Sequence, residues 1–143
     1  MIKTFLSIEA ELKRLWPNIT VMGSDRNYWC PKQEEVKSLL WDTYIERYKY
    51  TVEIFDCDDF ALLIHAFVAQ ERYRKMQDEK FSKEEWLPWA FGEAWGNKFD
   101  GQAYNHAVNI CLTRDKGVIF VDPQNDQIWN GDPDSNSVYF IRM

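Results

Sequence analysis

The sequence predicts one α+β domain in which helices come first and an antiparallel sheet follows. Apolar residues recur at helical spacing in the first half, whereas the second half has short segments rich in β-branched and aromatic residues. Helices followed by strands are typical of an α+β domain whose sheet packs against a helix. A chain of 143 residues suits a single domain, and we find no linker that would divide residues 1–143.

Three amphipathic helices are predicted in the first half. The first ends at Trp16-Pro17-Asn18, the second has Pro31 in its first turn, and the third begins near Cys57. The third is expected to end within the charged stretch 71–85, which continues as a solvated loop. The buried stripe predicted for the second helix is Val36, Leu39, Leu40 and Tyr44. The stripe predicted for the third is Phe60, Leu63, Ile64, Phe67 and Val68.

Four segments of the second half are predicted to be strands. They read "WAFGEAWG", "YNHAVNICLTR", "GVIFVDPQ" and "SVYFIRM", and turn signals such as Asp115-Lys116-Gly117 separate them. The Trp-rich stretch 84–99 could line a substrate cleft, although aromatic stripes of this kind more often belong to a core.

Composition excludes several classes of function. The net charge of −6 argues against duplex nucleic acid or an anionic membrane as a partner, because both favour a basic face. No apolar run reaches the ~18–20 residues that span a bilayer, and charged residues interrupt the first helix, which is therefore not a signal peptide. Three cysteines without a CxxC pair predict neither a disulfide framework nor a zinc site. We expect a cytoplasmic protein, and the sequence does not indicate its oligomeric state.

Cys57 lies among three aspartates at the predicted start of the third helix. Unpaired N–H groups and the helix dipole favour a negatively charged sulfur at this position. A nucleophilic thiol needs a base, and the chain has two histidines. His65 lies eight residues along the same helix, roughly 12 Å away at 1.5 Å per residue, which is too far for a hydrogen bond. His106, in the strand "YNHAVNI", is therefore the candidate base.

Asp122 is the candidate group that orients His106. A hairpin that turns near residues 115–117 would pair positions whose numbers sum to about 231 or 232. His106 would then face position 125 or 126, within a few residues of Asp122. Each residue alone has an ordinary structural explanation: a helix-start cysteine, a strand histidine and a turn aspartate. Their joint arrangement instead indicates a nucleophilic triad.

The segments "DCDDFA" (56–61), "HAVNI" (106–110) and "VDPQNDQIW" (121–129) resemble a known family. They are similar to the papain-like cysteine protease domain at the C-terminus of the Marasmius oreades agglutinin and to its small bacterial and phage relatives. The segment "DRNYWCPKQEEVKSLL" (25–40) also resembles those relatives, so the similarity covers about residues 25–130. It implies a papain-like fold with the cysteine at the start of a central helix packed on a C-terminal antiparallel sheet.

The resemblance also implies roles for individual residues. Cys57 would be the nucleophile, His106 the base and Asp122 the orienting acid, although the family typically has Glu at the third position. The agglutinin domain depends on calcium, and the matching metal ligands here would be Asp58 and Asp59, with Gln124. Calcium would relieve the repulsion between these carboxylates and a thiolate. The alternative is that both aspartates only occupy a helix first turn, where acids are favoured.

The sequence thus predicts a cysteine peptidase that acts on a protein or peptide substrate. Two alternatives stay open: a transglutaminase-like acyltransferase, and a non-catalytic protein-binding module of the same fold. Because no lectin domain precedes this one in the sequence, we do not expect the carbohydrate binding of the mushroom protein. The donors of an oxyanion hole are open as well, with the Cys57 N–H and the Tyr50 side chain as candidates.

Overall fold

A six-stranded sheet covered by one long helix forms the centre of the computed structural model, which describes residues 1–78, 80, 82 and 86–143. The helices are α1 (Phe5–Leu15), α2 (Gln33–Leu40) and α3 (Cys57–Met76), with a short 3₁₀ turn at Ile45–Arg47. The strands are β1 (Ile2–Thr4), β2 (Thr20–Met22), β3 (Asn27–Trp29), β4 (Phe91–Lys98), β5 (His106–Thr113), β6 (Gly117–Asp122), β7 (Gln127–Asn130) and β8 (Ser137–Arg142). The predicted α+β class and the start of the third helix at Cys57 are confirmed.

The sheet has the strand order β2-β8-β4-β5-β6-β7. Its central strands pair antiparallel as predicted, but the edge strand β2 pairs parallel with β8, so the sheet is mixed. A separate two-stranded sheet joins β1 and β3. The prediction of an all-helical first half was wrong here, because three-residue strands are too short to show the alternation that identifies a strand in sequence.

The second helix is shorter at both ends than its pattern predicted. Lys32 caps it in an extended conformation, so Pro31 precedes the helix and does not lie in its first turn. Tyr44 lies beyond the last helical residue, has a positive φ of 57° and exposes 56% of its surface. It therefore does not belong to the buried stripe, whereas Val36 and Leu40 are buried as predicted.

The third helix packs its apolar face on β4 and β5. Phe60, Ile64 and Val68 are buried there, and burial of each such side chain contributes about 1.5–3 kcal/mol to folding. Trp89 and Phe91 are buried in the same cluster, so this part of the Trp-rich stretch belongs to the core. The helix ends at Met76, and residues 79, 81 and 83–85 of the predicted loop lie outside the described residues.

None of the helices in the described part of the chain is both long enough and apolar enough to span a lipid bilayer.

Candidate active site

Cys57 is the first residue of α3 and carries a free, half-buried thiol. The helix begins here because Asp56 takes the extended N-cap position. The Asp59 carboxylate turns back and accepts a hydrogen bond of 3.1 Å from the Asp56 N–H, as in a capping box. The cap fixes the sulfur at the end of the helix where the free N–H groups and the positive end of the dipole lie.

His106 begins β5 and Asp122 ends β6, so the two side chains meet at the same end of these neighbouring strands. The Nε2 atom of His106 lies 3.7 Å from Oδ2 of Asp122, and their side chains are only 9% and 15% exposed. The distance exceeds that of an ordinary hydrogen bond, so we describe the contact as a close ion pair. The His106 imidazole also interacts with the Cys57 thiol. The three residues predicted as a triad are therefore brought together.

His106 and Asp122 each shift the pKa of the other in the direction that favours its charged form. Burial alone would lower the pKa of His106, but its contacts with Asp122 and Cys57 raise that pKa from 6.5 to about 9. Burial would raise the pKa of Asp122, but the His106 contact and the N–H of Gln124, 2.9 Å from Oδ1, lower it. At neutral pH the imidazole is consequently protonated and Asp122 is ionised.

The hairpin of β5 and β6 places His106 close to Asp122. Asn109 pairs with Val121 and Thr113 with Gly117, so paired positions sum to 230. The predicted sum of 231 or 232 was wrong, because the turn begins one residue earlier and Gly117 takes a positive φ of 69°. His106 and Asp122 lie just beyond the last pair, close enough for the ion pair.

Asn109 ties the strands of the site to the helix of the nucleophile, and sequence reasoning gave it no role. Its fully buried amide nitrogen donates to the carbonyl of Ala61 in α3 at 2.8 Å and to that of Gly92 in β4 at 3.0 Å. A polar amide inside an otherwise apolar strand was the signal available in "HAVNI". Asn109 thus helps to fix the position of Cys57 relative to His106.

Two tyrosines flank the thiol. Tyr50 comes from the segment before α3, and partial desolvation and then the nearby Cys57 sulfur and Asp56 carboxylate raise its pKa. The ring of Tyr104 lies 5.0 Å from that of His106, and its pKa is raised by burial, Asp122, Asp100 and Cys57. Tyr50 was a candidate for the oxyanion hole. Tyr104 was predicted only as the first residue of the strand "YNHAVNICLTR" and was given no role, and it lies before the observed start of β5 at His106.

Of the predicted calcium ligands Asp58, Asp59 and Gln124, only Asp58 belongs to a group of converging ligand atoms. Possible ligand atoms of Asp56, Cys57 and Asp58 lie within 4.8 Å of one another, and a hydrogen bond with Asp56 raises the pKa of Asp58. Two carboxylates that crowd in this way suit a hard cation. Asp59 uses an oxygen in the helix cap, and Gln124 contacts Asp122 through its backbone. The ligand set Asp58, Asp59 and Gln124 stays a prediction.

His65 lies away from the thiol, on the buried side of α3. Its Nδ1 is 2.9 Å from Oε1 of Glu93, whose side chain is only 1% exposed. Arg142 closes the group, with Nη2 2.5 Å from Oε2 of Glu93. His65 therefore contacts a buried carboxylate that Arg142 also pairs, as expected for a structural histidine.

The chain belongs to the agglutinin C-terminal family, whose model matches residues 28–128. This match confirms the predicted relationship to the agglutinin domain, but it does not show a papain-like protease. A comparison with curated protein sequences finds no match.

Solved structures share the fold. One is described as a PSL1a–E64 complex, with a TM-score of 0.78, 23% identity, and coverage of 99% of this chain and 51% of that chain. Another is Polyporus squamosus lectin bound to the epitope Neu5Acα2-6Galβ1-4GlcNAc, with a TM-score of 0.73, 24% identity, and coverage of 99% and 49%. This chain thus spans about half the length of these lectin-type structures.

Proposed function

We propose that this domain is a thiol-dependent acyl-transfer enzyme, most simply a cysteine peptidase. The observation that carries the proposal is the position of His106, which lies 3.7 Å from Asp122 and interacts electrostatically with the Cys57 thiol. A buried histidine between a helix-start thiol and an acid is the arrangement that activates a nucleophilic cysteine.

The chemistry follows from the charges of the three residues. The Cys57 sulfur attacks the substrate carbonyl and forms a carbon–sulfur bond, while the protonated His106 gives its proton to the leaving amine as the carbon–nitrogen bond breaks. Water or an amine then attacks the thioester, His106 takes its proton, and the carbon–sulfur bond breaks. Asp122 holds the imidazole and stabilises its positive charge. Water as acceptor gives a peptidase, and an amine gives the transglutaminase-like alternative.

Calcium is the proposed cofactor, as the agglutinin resemblance implies. Carboxylate oxygens at Asp56 and Asp58 converge beside the thiol, so the donor chemistry fits a hard cation. Asp58, Asp59 and Gln124 remain the proposed ligands, with Asp56 added by the geometry. A bound cation would offset the repulsion that these acids exert on a negative sulfur.

The test is the selectivity of thiol modification. The native protein should form one adduct with E64, a thiol-reactive epoxide, and peptide mapping should place it on Cys57. Cys30 and Cys111 are completely buried and serve as internal controls. An unfolded sample, in which all three thiols are exposed, gives the intrinsic rate. Modification of native Cys57 no faster than in the unfolded chain would contradict an activated nucleophile.

A second candidate is a non-catalytic binding module of the agglutinin type. Membership of the agglutinin C-terminal family and the fold shared with a sialoglycan-bound lectin favour this reading over a peptidase, whereas the site geometry favours catalysis. The trisaccharide Neu5Acα2-6Galβ1-4GlcNAc is the appropriate probe. Binding of the trisaccharide by the Cys57→Ala variant, together with an unreactive thiol in the native protein, would support the binding module and contradict the enzyme.

A further inference from the structure

Two aromatic rings contact the imidazole of His106. The Phe99 ring meets it edge to face, with ring centroids 6.2 Å apart and an angle of 80° between the planes. The Tyr104 ring lies tilted against it at 5.0 Å and 38°. Both separations are typical of favourable contacts between aromatic rings. Phe99 is buried and Tyr104 is 41% exposed, so one ring contacts the imidazole from the core and the other from the solvent side.

A tight turn and a strand glycine bring both rings to the same histidine. The N–H of Phe99 donates to the Gln102 carbonyl at 3.0 Å, and the N–H of Gln102 donates back at 2.8 Å, so the chain returns to Tyr104 just before β5 begins. Gly96, which pairs with His106 across β4 and β5, leaves room for the inner ring. A Cβ atom at Gly96 would lie 2.8 Å from Cζ of Phe99, closer than such atoms approach in proteins.

The acid alone does not fix the orientation of the imidazole. Nε2 of His106 is 3.7 Å from Oδ2 of Asp122, beyond hydrogen-bond range, so this contact attracts the ring without fixing its rotation. A histidine that gives and takes protons must nevertheless present them within reach of the reacting atoms. The rings of Phe99 and Tyr104 limit the rotation, because both occupy space beside the imidazole. The face of an aromatic ring also attracts a protonated imidazole.

We propose that Tyr104 is a positioning residue of the thiol enzyme, whose ring holds His106 in the orientation that serves Cys57 and the leaving group. The ring carries this role, and the hydroxyl does not, because the ring makes the contact with the imidazole. The inference rests on the proposed function and adds a residue that acts through the base.

Modification by E64 measures how well His106 is positioned. The Cys57 sulfur bonds to an epoxide carbon, the carbon–oxygen bond breaks, and His106 gives its proton to the oxygen. The rate constant of this step, kinact, therefore depends on the orientation of the imidazole. The half-saturation concentration, KI, reports how well the reagent binds.

Two variants separate the ring of Tyr104 from its hydroxyl. Tyr104→Ala should lower kinact about tenfold or more and change KI less than about threefold, because the imidazole loses its orientation. Tyr104→Phe keeps the ring and should recover at least about half of the native kinact. Tyr73→Ala is the matched control, since Tyr73 is 58% exposed and lies roughly 24 Å from Cys57 along α3 at about 1.5 Å per residue.

Proton NMR of the imidazoles tests the contact without any reaction. Because an aromatic ring shifts the resonances of nearby protons, the His106 signals should move in Tyr104→Ala and stay near their native positions in Tyr104→Phe. The His65 signals are the internal control, since that ring lies against Phe91 and Glu93. Unchanged His106 signals in Tyr104→Ala would overturn the proposal.

The outcomes separate the inference from the proposed function. Native kinact in Tyr104→Ala, or a loss confined to KI, overturns the positioning role while the thiol enzyme stands. An equal loss of kinact in Tyr104→Phe and Tyr104→Ala assigns the effect to the hydroxyl and overturns the role of the ring. If the native protein forms no adduct with E64, the proposed function fails, and the positioning role fails with it.

Discussion

The two histidines of this protein each contact a carboxylate, yet their surroundings differ. His106 lies 3.7 Å from Asp122 at the ends of the neighbouring strands β5 and β6 and also interacts electrostatically with the Cys57 thiol. His65 lies 2.9 Å from the buried carboxylate of Glu93, which also pairs with the Arg142 guanidinium. The His106–Asp122 pair lies beside the sulfur of Cys57. The Glu93 carboxylate of the other pair instead binds both His65 and Arg142.

The difference shows that a histidine–carboxylate contact alone does not define a catalytic site. The charge of Glu93 is balanced by His65 and Arg142, which lowers its pKa although burial would raise it. At the other pair, Asp122 and the sulfur share one histidine, so its proton can be passed to a substrate. Function therefore depends on the third partner, a thiol in one case and a guanidinium in the other.

Removal of the Cys57 thiol or of its base His106 should produce the largest loss of catalytic activity. We expect Cys57→Ala to abolish acyl transfer and His106→Ala to lower kcat by at least about a hundredfold, because both act on the reacting atoms. Peptide hydrolysis measures the loss, and circular dichroism checks that the variants fold. His65→Ala is the matched control and should retain activity. If His65→Ala and His106→Ala exchanged these results, the assignment of the base would be wrong.

Substitution in the His65–Glu93 pair should lower the stability of the fold and leave catalytic activity largely unchanged. Glu93→Ala leaves Arg142 and His65 without their buried partner, so we expect a loss of about 2–3 kcal/mol in the free energy of unfolding. This lies below the usual range for a broken buried pair, because Arg142 is 43% exposed. Urea denaturation measures the loss. Asp122→Ala should cost less stability but much more activity, and the same loss of stability in both variants would remove the distinction.

Residues with strong local signals were predicted correctly from sequence. The capped start of α3 at Cys57 and the strands that carry His106 and Asp122 follow from helix-start acids and turn residues. The strands β1, β2 and β3 could not be predicted, because they are only three residues long and depend on partners distant in sequence. Tyr104 and Asn109 acquire their roles only through tertiary contacts.

The pH dependence of the free energy of unfolding should reveal the charged state of His106 through a smaller effect. The folded pKa of His106, about 9, lies above its unfolded value near 6.5. Its contribution is therefore fully present below about pH 6.5 and is lost as the pH rises through 9. After allowance for solvent screening we expect about 1–2 kcal/mol.

Urea denaturation at pH 7 and pH 10 measures this contribution. The native protein should lose more stability between these values than His106→Gln, because other titrating groups are common to both. Equal pH dependence of the native protein and His106→Gln would contradict the charged state assigned to the active site.

Calcium bound beside Cys57 should give the smallest change in the stability of the protein. At a free concentration ten times its dissociation constant, an ion that binds only the folded state adds about 1.4 kcal/mol, a rise of a few degrees in Tm. Asp58→Asn/Asp59→Asn should lose this response. The double variant also weakens the helix cap, because Asp59 accepts from the Asp56 N–H, so its Tm without calcium should already be lower. The quantity to compare is therefore the shift between calcium and chelator within each protein.

Two further variants decide which oxygens hold the ion. Asp56→Asn should reduce the calcium shift if the converging Asp56 and Asp58 carboxylates are ligands, and Gln124→Ala should reduce it if the predicted second segment contributes. Glu34→Gln removes an exposed charge on α2 and should leave the shift unchanged. Identical melting temperatures of the native protein with millimolar calcium and with chelator would exclude the site. The aspartates beside Cys57 would then serve as helix-start acids and as the negative border of the thiol.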